Sequence, residues 1–144
     1  MVYFEDLGTV LDLPLEEMES FLGSAEHSSA HSDDVRNFEV VETNGPTIVL
    51  AYERKLDGTW GKSRTRMTTF PPYGAFVEEI EGVFAGSRFV VVHRPEGAKT
   101  RVDVFGEAHC KTKSPEELRS YWLDMLAKAH DEDVATLQRL RDRT

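Results

Sequence analysis

SPEELRSYWLDMLAKAHDEDVATLQRLRDRT, Ser114 to Thr144, closes the chain, and the rest of the sequence is read from it. Ser114, then Pro115 and, three residues after the serine, Glu117 form a capping-box helix start. Leu118, Trp122, Met125 and Ala129 recur on one stripe, with Tyr121 and Leu126 beside it. Arg139, Arg141 and Arg143 stand in the last turns, where positive charge suits the helix dipole. The pattern predicts one helix over 114–144, about 45 Å long. Such a helix needs a broad surface to lie on, and a run of strands supplies it. Laid across a curved antiparallel sheet, the helix either fills the concavity or roofs a cavity.

Upstream, Tyr3 to Leu13 reads as a strand ended by Pro14. Leu15 to Leu22 reads as a short helix with Leu15, Met18, Phe21 and Leu22 on its apolar side. Glu26 to Asp34 is a second short helix or an irregular turn. Thr43-Asn44-Gly45, Asp57-Gly58, Pro71 to Gly74, Gly82 to Gly86 and Pro95 to Gly97 then punctuate six strands of an antiparallel meander. The predicted order is strand, two short helices, six strands and a long helix, an α+β chain.

The turns also suggest a register. A two-residue hairpin at Asp57-Gly58 sets Leu56 across from Thr59 and Leu50 across from Thr65. Ile48, Leu50 and Tyr52 then share a face with Met67, Thr65 and Ser63, while Glu53, Lys62, Arg64 and Arg66 occupy the other. A tight turn at Pro71 to Gly74 sets Met67 against Glu78, and Arg66 and Arg64 against Glu79 and Glu81. One face is mostly apolar and the other is a ladder of opposite charges, as in a sheet solvated on one side. Phe76, Ile80, Phe89, Val91, Val102 and Val104 extend the apolar face. A three-residue turn at Thr43 to Gly45 adds Phe38 and Val40.

The net charge of −9 opposes binding to nucleic acid or to an anionic membrane. One cysteine, Cys110, permits no internal disulfide and fits a reducing, cytoplasmic setting. Met1 to Leu13 lacks the basic flank of a signal peptide, and no apolar run is long enough for a membrane helix. One domain over 1–144 is the simplest division.

The element order, with the Leu13-Pro14-Leu15-Glu16-Glu17 step, the Glu81 to Gly86 turn and Thr100-Arg101-Val102-Asp103-Val104, resembles the START-like, or SRPBCC, superfamily. The resemblance covers essentially the whole chain. It implies a helix-grip fold: a curved seven-stranded antiparallel sheet, two short helices, and a long C-terminal helix across the sheet. Polyketide cyclases, Bet v 1-like proteins and START domains share that fold, usually with a hydrophobic ligand between sheet and helix. No catalytic motif defines the superfamily, so the resemblance assigns no catalytic residue.

Candidate chemistry comes from the residues themselves. Glu78, placed between Phe76 and Ile80 and opposite Met67, is an inward carboxylate able to act as an acid or base or to bind a hydroxyl; a wet strand end is the plainer reading. His93 falls on the same face, with Phe76 opposite and Glu78 diagonal, so the two could form an acid/base pair. The plainer role is a hydrogen-bonding spacer at the sheet rim. His27 and His31 stand four apart, with Asp33 and Asp34 following. HxxxH alone is a weak metal motif, so no metal is expected, and both histidines are placed at the cavity mouth. Arg36 is predicted to face inward across from Tyr52, where it would clamp a ligand anion; a salt bridge to Glu53 is the alternative. Trp122, Met125 and Ala129 are core, cavity roof, or both.

The leading expectation is a binding protein for a small hydrophobic or amphipathic molecule, a lipid, isoprenoid or polyketide-like compound, requiring no cofactor. Tyr52, Glu78, His93 and Arg36 would orient the ligand. One alternative is a cyclase or dehydratase using Glu78 and His93 for proton transfer. Another is a protein–protein module.

Overall fold

The structure, a computed structural model, describes residues 1–22 and 33–143. Among these, β1 (Val2–Leu11) leads through a 3-10 turn (Leu15–Glu17) into α1 (Met18–Leu22). β2 (Val35–Asn44), β3 (Thr47–Leu56), β4 (Thr59–Thr69), β5 (Gly74–Glu81), β6 (Arg88–Glu96) and β7 (Lys99–Ala108) follow, then α2 (Pro115–Asp142). The strands form one antiparallel sheet in the order β1-β7-β6-β5-β4-β3-β2. β2 to β7 are a meander, and β1 adds beside β7. The expected second short helix, with His27 and His31, lies almost wholly outside the described residues.

The α2 start is the capping box read from the sequence: Ser114 Oγ accepts from the Glu117 amide, and the Glu117 carboxylate accepts from the Ser114 amide. The helix is seated at both ends. Near its start, Trp122 is 1% exposed and stacks on Phe4 at 5.1 Å between ring centroids, with Phe84 and Phe89 edge-on at 5.6 and 5.5 Å. Leu118, Val2, Val104 and Ala108 complete that cluster. Near its end, Leu137 packs with Leu11, Leu13, Met18 and Phe21. Trp122 and Leu137 are roughly 22 Å apart along the helix axis.

The β3–β4 hairpin has the expected register, Leu50 across from Thr65 and Leu56 across from Thr59. Asp57 and Gly58 both take positive φ, 51° and 81°, as a two-residue primed turn requires. Two other turns differ from expectation by a residue. The β4–β5 loop runs from Phe70 to Tyr73, with Thr69 across from Ala75, so Met67 faces Val77 and Arg66 faces Glu78. Side chains alternate along a strand, so this single-residue change turns β5 over. Val77 and Glu79 point inward; Phe76 and Glu78 point outward. Ile80 is the extra residue of a bulge, solvent-exposed, after which Arg64 meets Glu81 as expected.

The β2–β3 turn is the pair Gly45-Pro46 rather than three residues, and β2 carries two bulges. Arg36 therefore lies across from Glu53, not Tyr52. Phe38 still reaches the inner face, stacked on Tyr52 at 4.9 Å. On β6 and β7, Phe89, Val91, His93, Val102 and Val104 face inward together, with Val91 across from Val104 and His93 across from Val102. Phe76 lies across from Val90, not from His93.

A bulge in β1 between Asp6 and Thr9 lets both residues face inward, opposite Val104 and Val102, although they stand three apart. Asp103, buried on the other side of β7, fixes that bulge. Its carboxylate accepts from the Gly8 amide at 2.7 Å and pairs with Arg94 at 2.5 Å and Arg101 at 3.0 Å.

Candidate functional site

Between its two seated ends, α2 stands off the sheet. Leu126, Ala129, His130 and Asp133 follow the i, i+3, i+4, i+7 spacing that continues the buried stripe from Trp122 toward Leu137. In place of large apolar side chains, this middle stretch carries a leucine, an alanine, a histidine and an aspartate. Below it lies a cavity of about 480 Å³, within the ordinary range for small-molecule sites. Its floor is Met67, Val77, Val91, Val102 and Val104; Thr9 and Leu11 of β1 and Met18 and Leu22 of α1 form one side, and Pro71, Pro72 and Gly74 another.

Gly74 makes this geometry possible. Its φ is +131°, and a Cβ there would stand 1.8 Å from the Val91 carbonyl oxygen. Only glycine lets the β4–β5 loop press against β6 so closely.

His93 is the polar group set deepest in the wall. It is 5% exposed, and its Nδ1 lies 3.3 Å from the Pro72 carbonyl oxygen. A carbonyl only accepts, so Nδ1 carries the proton and Nε2 of the neutral ring keeps its lone pair. Burial pulls the imidazole below its usual range, against the opposing pull of the Pro72 carbonyl. The ring is neutral at physiological pH.

The buried carboxylate of this face is Glu79, the neighbour of the residue expected there. Glu79 is 6% exposed and fully engaged. It pairs with Arg54 at 3.2 Å and accepts from Thr65 Oγ1 at 3.0 Å and from the Tyr52 hydroxyl at 3.2 Å. Arg54 also donates to the Tyr52 hydroxyl at 2.9 Å and reaches Met125 Sδ at 3.7 Å. Desolvation raises the Tyr52 phenol, so it stays protonated. This network plugs the space beside the Trp122 cluster, and neither Glu79 nor Tyr52 lines the cavity.

Of the residues expected at the site, Met67, Val91, His93, Val102, Val104 and Ala129 line the cavity. Phe89 and Trp122 belong to the packed cluster, and Tyr52 and Met125 to the polar plug. Phe76, Glu78 and Ile80 are on the outer side of β5, and Glu78 pairs with Arg66 at 3.6 Å. That removes the Glu78–His93 acid/base pair, because the two side chains are on opposite faces. Arg36 is also outside; its guanidinium pairs with Glu53 at 3.2 Å and lies 3.9 Å from the Trp60 ring centre. His31 is outside the described residues. Among those described, no three His, Cys, Asp or Glu side chains are placed to hold a metal, and no helix is long and apolar enough to cross a membrane.

Asp6, Thr9, Glu19, Val77, Leu126, His130 and Asp133 line the cavity without having been expected there. The helix members carried a signal: polar and small residues in the middle of a stripe that is apolar at both ends. Asp6 and Thr9 carried none, since a bulge sets their direction.

No protein-family model matches the chain, and no curated protein matches it. Solved structures do. Ara h 8.0201 aligns over 94% of this chain and 97% of its own, with 14% identity and a TM-score of 0.70. The ZhuI aromatase/cyclase from Streptomyces sp. R1128 aligns over 98% and 93%, with 11% identity and a TM-score of 0.72. A START superfamily protein from Mycobacterium smegmatis aligns over 94% and 98%, with 17% identity and a TM-score of 0.68. At such identities the likeness is one of architecture, and among the described residues it is the arrangement of sheet, short N-terminal helix and closing helix: the chain has the helix-grip, START-like fold.

Proposed function

We propose that the protein binds a small hydrophobic or amphipathic molecule between the inner sheet face and α2. One observation carries this reading. The helix is packed tightly at Trp122 and at Leu137, yet between them it roofs about 480 Å³ over an apolar floor. Burial of the ligand's apolar part supplies affinity, and His93 at the wall orients its polar end. Bet v 1-like and aromatase/cyclase structures of the same fold support it.

The test is a titration with N-phenyl-1-naphthylamine, a dye that brightens in apolar surroundings, on the wild type and on Ala129→Phe. The wild type is expected to bind the dye. The variant, with the cavity filled from its roof, should keep its melting temperature and lose at least about tenfold in affinity. Equal binding by both would place the dye elsewhere and end the reading.

The bare Nε2 of His93 favours a second reading, proton transfer on a bound polyketide-like ketone. Deuterium uptake at the ketone's α-carbon, lost in His93→Phe, is its measurement. No uptake above buffer rejects it.

A further inference from the structure

Every ionisable side chain lining the cavity among the described residues is an acid or a histidine: Asp6 on β1, Glu19 on α1, His93 on β6, His130 and Asp133 on α2. No lysine or arginine lines it among the described residues. Cations around it are committed elsewhere: Arg54 to Glu79, Arg94 and Arg101 to Asp103, Lys128 to Asp34. A buried anion without a counter-charge is costly, and the chain's net charge of −9 repels the same sign at long range. A carboxylate or phosphate head therefore finds no lysine or arginine here to compensate its charge, only the neutral hydroxyls of Thr9 and Thr69 and the imidazoles.

His93 says what the cavity does accept. Its Nδ1 proton is committed to Pro72, so the wall presents Nε2 as a lone pair with no partner among the described residues. When a ligand displaces water from that nitrogen, the hydrogen bond is lost unless the ligand donates one.

We propose that the cavity selects a hydrophobe whose polar end is a neutral or cationic hydrogen-bond donor, an alcohol or an amine, and discriminates against carboxylates and phosphates. This rests on the ligand-binding reading above and narrows it.

The experiment uses three probes with the same dodecyl chain, 1-dodecanol, dodecylamine and dodecanoate, each displacing N-phenyl-1-naphthylamine from the wild type near neutral pH. The alcohol and the amine are expected to compete at least about tenfold more tightly than the carboxylate. Asp6→Asn should narrow that gap. His93→Phe should weaken the alcohol several-fold while leaving the carboxylate unchanged. Dodecanoate competing as well as the alcohol overturns the selectivity and leaves ligand binding intact. A dye that does not bind, with no probe detected by native mass spectrometry, overturns both. The wild-type ranking decides even where a variant fails to fold.

Discussion

Glu78 and Glu79 are chain neighbours with opposite surroundings, and substitution should separate them. Glu78→Gln breaks a half-exposed pair with Arg66 and should cost under about 1 kcal/mol. Glu79→Gln leaves Arg54 buried without its counter-charge and should cost about 3 kcal/mol or more. Urea melts of the two variants check this; similar losses would mean that the strand faces are not as described. The sequence favoured the wrong one of the pair because it shows that a loop exists but not whether Thr69 or Phe70 stands across from Ala75. Gly74→Ala should cost at least about 3 kcal/mol, since its Cβ would overlap the Val91 carbonyl. His93 adds a pH dependence. Its folded-state value lies below the unfolded one, so the folded state binds fewer protons as the pH falls through about 6.5. Stability contributed by the neutral ring is fully present above that value and is lost toward acid. The melting-temperature gap between wild type and His93→Gln should therefore shrink from about pH 7.5 to pH 5. A constant gap would remove the histidine from the acid response.

At the scale of elements, α2 does two jobs along one stripe, and the two should answer differently to mutation. Trp122→Ala removes the centre of an aromatic cluster and should cost about 3–5 kcal/mol. Ala129→Leu adds bulk over open space and should change stability by less than about 1 kcal/mol. Thermal denaturation of both variants checks the division; an equal loss would mean that the middle of the helix is packed. The helix, its cap and the β3–β4 register were legible because periodicity and a two-residue turn fix them locally. The inward faces of β6 and β7 were legible as well. The β1 bulge was not, because it is held from across the sheet by Asp103, ninety-five residues from Gly8. Arg36 was misplaced for a related reason: two bulges in β2 reset its register and no residue type announces them.

For the whole molecule, the first strand lies at the sheet edge against the last, with Val2 across from Ala108, so the sheet is complete only when the two ends of the strand sequence meet. A ligand held between sheet and helix binds only this finished assembly. Saturating amounts, about a hundredfold over the dissociation constant, should add about 2.7 kcal/mol to stability. A dodecanol-dependent rise in melting temperature would show it, and an unchanged melt at concentrations that displace the dye would put the binding outside the folded core. The two apolar clusters lie at opposite ends of α2 and share Val102 on the sheet side. With a short closing helix, each would be free to melt by itself. A single rigid rod anchored in both transmits the loss of one to the other, so calorimetry should find one transition whose measured enthalpy equals the van't Hoff value. The beam that roofs the cavity is also what makes the molecule fail all at once.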